Sequence, residues 1–88
     1  MIALFESSFL KDIKKVDNAE IANKLQNIIK QIKSSESIKD IFHLRKLKSY
    51  KSYYRIRVGD YRLGLKIESN TVVFIRFLHR KDIYKVFP

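Results

Sequence analysis

Arginines stand at positions 55, 57 and 62 around a Gly59-Asp60 pair, with Lys66 a little further on. Guanidinium groups stay charged at any accessible pH and present a planar fork of donors that matches phosphate oxygens. Gly59-Asp60 lies between two alternating apolar/polar runs, which predicts a two-residue β-hairpin turn. That turn pairs Val58 with Tyr61, Arg57 with Arg62, Ile56 with Leu63, and Arg55 with Gly64. Tyr54, Ile56, Val58, Tyr61, Leu63 and Leu65 then share one face, and Arg55, Arg57, Arg62 and Lys66 share the other. Like charges directly opposite across a strand pair destabilise it, on a scale of roughly 0.2–1 kcal/mol. A solvated outer face gains nothing from such a pairing, whereas a surface that grips phosphates does. Gly64 opposite Arg55 adds an expectation of open space where a ligand can approach.

A second group follows in His79, Arg80 and Tyr84. Histidine is the natural acid or base near neutral pH, and an arginine such as Arg80 can stabilise charge developing at phosphorus. Tyr84 can orient a nucleophile, stack on a base or exchange a proton; its structural alternative is to cover the core edge. If the strand before them continues, alternation puts His79 and Arg80 on opposite faces. Tyr50 and Tyr53 are candidates for stacking on unpaired bases, while Tyr54 and Tyr61 fall on the core side. Arg45, Lys46, Lys48 and Lys51 make a basic connector suited to RNA backbone contacts. His43, just before it, can reach the same face or be a surface histidine without a role. With two histidines and no cysteine a zinc site is not expected. There is no glycine-rich phosphate loop and no serine or cysteine nucleophile paired to a base, so no metal and no cofactor is expected.

These residues need a scaffold, and the sequence describes a small one. Its 88 residues suit a single domain spanning 1–88. The net charge of +10 is uneven: residues 1–44 hold seven Lys/Arg and six Asp/Glu, residues 45–88 twelve and three. A basic half of that kind points to a polyanionic partner, nucleic acid or an acidic protein. The absence of cysteine suits a reducing cytoplasm. No segment approaches the ~20 apolar residues of a membrane-crossing helix, and no signal peptide opens the chain.

Ile2 to Phe5 predicts a short strand. Ser7 or Ser8 is placed to cap a helix carrying Phe9, Leu10, Ile13 and Val16. Asp17-Asn18 breaks that pattern and caps a second helix with the stripe Ile21, Ala22, Leu25, Ile28, Ile29 and Ile32. Ser34 to Ser37 form the exit loop. Ile38 to Leu47 reads as loop with a short strand near Ile41 to Leu44. Strands follow over 53–58, 61–67 and 71–78, the last apolar on both faces and so central; the tail holds one helical turn. The expected fold is α+β, a helical hairpin on one face of a mainly antiparallel sheet, with the arginines on the other face.

The run Tyr54-Arg55-Ile56-Arg57-Val58-Gly59-Asp60-Tyr61-Arg62-Leu63, then an apolar strand ending in His79-Arg80-Lys81-Asp82-Ile83-Tyr84, resembles the RelE/ParE superfamily of toxins over nearly the whole chain. The tail with its arginine and following tyrosine is closest to the RelE-like branch. The resemblance implies the RelE-like microbial ribonuclease fold and a ribosome-dependent mRNA endonuclease. In that reaction the ribose 2′-hydroxyl attacks the adjacent phosphate, leaving a 2′,3′-cyclic phosphate and a free 5′-hydroxyl. Carried across, it assigns Arg62 and Arg80 to the scissile phosphate, Arg57 and Arg55 to substrate contact, Tyr84 to orienting base or hydroxyl, and His79 to the leaving group. Lys46, Lys48, Lys51, Lys66 and Tyr53 are then the RNA-binding surround. It implies partners as well: mRNA, the ribosome with its rRNA, and an acidic RelB-like antitoxin that neutralises a monomeric toxin within a hetero-oligomer. The branch often carries lysines where this chain has Arg55 and Arg57. No acid occupies Phe42, His43 or Leu44, where YoeB-like relatives carry a glutamate. Two alternatives stay open, a ParE-type inhibitor of DNA gyrase and an inactive RNA-binding module.

Overall fold

The computed structural model describes residues 1–88. Strand β1 (Ile2–Phe5) leads into helices α1 (Ser7–Lys14) and α2 (Ala19–Ser34), then a 3-10 turn at Ile38–Asp40. Strands β2 (Leu44–Lys46), β3 (Tyr53–Val58), β4 (Tyr61–Glu68) and β5 (Thr71–His79) follow, and α3 (Ile83–Val86) closes the chain. The sheet order is β1-β5-β4-β3-β2. Only β1 runs parallel to its neighbour. The architecture is the expected α+β one.

Strand β5 lies inside the sheet, between β1 and the middle strand β4, and its Val72, Phe74 and Phe77 are almost fully buried. They meet Phe9 of α1 and Ile21, Leu25 and Ile32 of α2 in one core with Ile56, Val58, Leu63 and Leu65. The β3–β4 register is the expected one throughout, from Val58 with Tyr61 to Tyr53 with Lys66. A β-bulge at Gly64/Leu65 shifts the β4–β5 register, so that Gly64 meets Arg76 and Leu65 meets Phe74. Ile75 is the extra residue, and a bulge there sharpens the local twist.

Asn18 caps α2, its side chain accepting from the Ile21 N–H at 3.1 Å. Neither Ser7 nor Ser8 caps α1; Glu6 holds the N-cap position without a side-chain bond. The Ser8 hydroxyl has a more useful acceptor, the Ile75 carbonyl at 2.6 Å. This follows from the length of β1, which covers β5 only from Thr71 to Phe74. Beyond that point α1 replaces the missing strand: Ser8 takes the Ile75 carbonyl and the Asp12 carboxylate accepts the Phe77 N–H at 2.9 Å. Asp12 also holds Arg76 through both oxygens, at 2.8 and 3.0 Å. The strand expected at Ile41 to Leu44 starts three residues later, because Leu44, not Ile41, lies opposite Ile56.

Gly59 has φ +58°, and a Cβ there would lie 2.9 Å from Ile21 Cδ1. The turn therefore needs glycine both for its left-handed backbone and for its contact with α2. Gly59→Val is expected to cost about 1–3 kcal/mol. A urea titration should show a lower midpoint with an unchanged slope.

Candidate functional site

Arg57 and Arg62 face each other across the hairpin, one pair in from the turn. In a two-residue hairpin the closing pair is hydrogen-bonded, so this next pair is the non-hydrogen-bonded kind, with Cα atoms only ~4.5 Å apart. Strand β2 adds Arg45 directly opposite Arg55. The four guanidiniums line an open cleft of about 860 Å³ together with His43 and Gly59, and no carboxylate lines it. Arg62 donates to the Gly59 and Tyr61 carbonyls at 3.0 and 2.9 Å, which keeps its guanidinium over the turn. Its pKa is lowered, first by desolvation and then by Arg57, Arg55 and Arg80, with Asp60 opposing. Concentrated positive charge without a counter-ion is what an anion site requires.

Arg80 joins from β5. Its N–H donates to the Asp60 carbonyl at 2.7 Å, tying the strand end to the hairpin turn. The tail then folds back over the arginine side of the sheet. Ile83 and Phe87 are buried, and the half-exposed Tyr84 lies with its ring 5.6 Å from the Arg55 guanidinium carbon. The structure thus brings Arg45, Arg55, Arg57, Arg62, Arg80 and Tyr84 into one neighbourhood.

Phe87 corrects one expectation. A Cβ on Gly64 would meet the Phe87 ring at 2.9 Å, so the space opposite Arg55 seats the tail and is not left for a ligand. Gly64→Val should unseat Phe87 and carry Tyr84 away from Arg55. Limited proteolysis should then remove the tail faster, while circular dichroism keeps the signature of the folded sheet.

Other predicted residues stand apart from the cluster. His79 projects on the helix side, edge-on to Tyr61, and its Nδ1 accepts the Lys81 N–H at 3.2 Å. The strand's alternation separates it from the arginines. Lys66 shares their face but sits above the Tyr53 ring and pairs with Glu68 at 3.5 Å. Tyr53 is packed between Tyr50 and Phe87, which occupies it in holding the tail. Lys46, Lys48 and Lys51 surround their own loop between β2 and β3. That loop lies at the far end of β3 from Arg57, ~13 Å away along the strand. Arg45 is the addition to the expected site: the later start of β2 moves it from the connector into the sheet, opposite Arg55.

Residues 3–84 match the family described as the ParE toxin of type II toxin–antitoxin systems. The chain belongs to the RelE/ParE toxin superfamily. Within that superfamily it is 43% identical to Toxin RelE3 of Methanocaldococcus jannaschii over the full length of both chains. Its fold matches the toxin of the RelB–RelE antitoxin–toxin complex from Methanococcus jannaschii, with a TM-score of 0.83 at 41% identity, covering 97% of this chain and 99% of that one. The fold extends to more distant members. The intact E. coli RelBE toxin–antitoxin complex matches with a TM-score of 0.69 at 20% identity, over 89% of this chain and 94% of that one. These relatives make the chain a RelE-type toxin of the type II class. No helix is long and apolar enough to cross a membrane.

Proposed function

We propose that this RelE-type toxin is a ribosome-dependent mRNA endonuclease, and the observation that carries the reading is the carboxylate-free cleft of Arg45, Arg55, Arg57 and Arg62. Arg62 and Arg80 bind the scissile phosphodiester. The ribose 2′-hydroxyl gives up its proton to solvent as its oxygen attacks phosphorus, the bond to the 5′-oxygen breaks, that oxygen takes up a proton from solvent, and the products are a 2′,3′-cyclic phosphate and a 5′-hydroxyl. The negative charge on the phosphoryl oxygens grows along this path, so preorganised guanidiniums bind the transition state more tightly than the substrate. Arg57 and Arg55 favour the ionised 2′-hydroxyl, and Tyr84, held against Arg55, orients the sugar or base. Arginine is a poor proton acceptor near neutrality, so rate comes from charge placement more than from a base within the cluster. The RNA is the mRNA exposed on the ribosome, whose rRNA supplies further phosphates for the exposed lysines. The toxin's +10 charge also suits an acidic antitoxin of the RelB kind. The setting of this reaction is the cytoplasm, where translation takes place.

Induced expression in a bacterial host, followed by primer extension on a translated and an untranslated reporter, tests the proposal. Cuts inside codons of the translated message alone are expected. Growth arrest with both messages intact would favour the gyrase-directed reading of the same fold.

A further inference from the structure

Beside the arginine cleft lies a smaller groove of about 290 Å³, between α2 and the edge of β3. It opens there because β2 begins at Leu44 opposite Ile56, so no strand of the sheet pairs with Arg57 on that side. Its lining includes Asn27 and Ile28 from α2, Phe42 and His43 from the loop, and Arg57. His43 and Arg57 line the arginine cleft as well, so the two spaces share a wall.

Phe42 is 68% exposed, more than any other large apolar residue of the chain. Its position is nevertheless built. Gln31 of α2 donates to the Asp40 carbonyl at 2.6 Å and to Ser35 Oγ at 3.1 Å, and its Oε1 accepts the Phe42 N–H at 3.4 Å. The next residue, His43, turns the chain with a left-handed φ of 61°. An exposed aromatic ring, carried on a backbone that Gln31 holds beside a cationic cleft, has the two parts that unpaired nucleotides use, a stacking platform and phosphate contacts. Asn27 makes no side-chain hydrogen bond within the chain and is free to meet a base edge, whereas Gln31 is committed to the loop. The small volume suits one ring system better than a docked helix.

We propose that Phe42 and this groove form a nucleobase subsite, which takes the base of the nucleotide adjoining the phosphate held by the arginines. It rests on the phosphodiester reading of the cleft and adds to it a place where the base is gripped, and so a source of sequence preference.

The test is binding by the purified full chain of a fluorescein-labelled hexaribonucleotide, followed by anisotropy, and in parallel its displacement by inorganic tripolyphosphate. Phe42→Ala is expected to weaken RNA binding about 5- to 150-fold, the range for losing one stacked base. Tripolyphosphate affinity should stay within about twofold, and Phe42→Tyr should retain RNA binding. Unchanged RNA affinity in Phe42→Ala overturns the proposal and leaves the groove to an apolar side chain of a protein partner. Equal losses for RNA and tripolyphosphate overturn it too, because they report damage to the cleft. If the unmodified chain binds tripolyphosphate but holds RNA no more tightly, the base subsite fails and the phosphate cleft stands. If it binds neither, the phosphodiester reading fails with it.

Discussion

Arg62→Gln is expected to lower mRNA cleavage by about 10²–10³-fold, the usual loss for one preorganised donor to a developing oxyanion, and at the same time to raise the melting temperature. The two effects have one cause. Arg62 sits opposite Arg57 and within the field of Arg55 and Arg80, and its pKa is lowered by desolvation and by those neighbours. Folding therefore works against its charge. For a cation whose folded pKa is depressed, that penalty is fully present below the folded value and fades as pH rises from the folded value to the unfolded one. An arginine reaches neither near neutrality. Stability should accordingly show no pH response from Arg62 between pH 5 and 9, and should respond instead to anions. The substituted glutamine keeps much of the stem and a donor while removing the charge. Relief of a like-charged cross-strand pair, roughly 0.2–1 kcal/mol, corresponds to a rise of about 1–6 °C in a domain of this size. Differential scanning calorimetry with and without inorganic phosphate reads both terms: phosphate should stabilise the unmodified toxin more than the variant. A variant that is less stable and fully active would remove any role for the arginine pair.

Asp12→Ala should be the most damaging single change to the fold. Asp12 is 4% exposed and accepts three hydrogen bonds, two from Arg76 and one from the Phe77 N–H. Alanine leaves an N–H on the uncovered edge of β5 and a guanidinium without their acceptor. Breaking a buried pair from one side costs about 3–5 kcal/mol. Arg76 keeps a quarter of its side chain in water, which brings the expected loss down to roughly 2–4 kcal/mol. The melting temperature should fall by about 10–25 °C. Asp12→Asn retains an acceptor for Phe77 and should lose less. A fall under a few degrees in Asp12→Ala would mean that α1 does not seal the edge of β5.

Much of this was legible from residue order because local signals agreed with the global fold. Gly59-Asp60 specified the hairpin, its register and the face of Arg55, Arg57 and Arg62. Period-3.6 and period-2 patterns placed both long helices and the three long strands. What stayed hidden depended on contacts distant in the chain. Phe87 lies over Gly64 across 23 residues of sequence (87 minus 64), and nothing local announces that the tail returns to the arginine face. That return is what joins Tyr84 to Arg55 and commits Tyr53 to packing. Asp12 did leave a trace: it follows Phe9 by three residues, so it lies on the apolar face of α1. An acid there needs a buried partner, and Arg76 is that partner. Arg45 and His43 were obscured by a strand of three residues, too short for alternation to set its register.

The central claim is that the arginine cleft cuts RNA on the ribosome. The most direct measurement incubates the purified toxin with a short mRNA, once free and once threaded on ribosomes with an empty A site, and determines the chemistry of the RNA ends. Cleavage is expected within the A-site codon of the ribosome-bound message, with a 2′,3′-cyclic phosphate on one fragment and a 5′-hydroxyl on the other, and little cleavage of free mRNA. Intact message on the ribosome, from a toxin that still arrests growth, would contradict the claim and move the target to DNA gyrase.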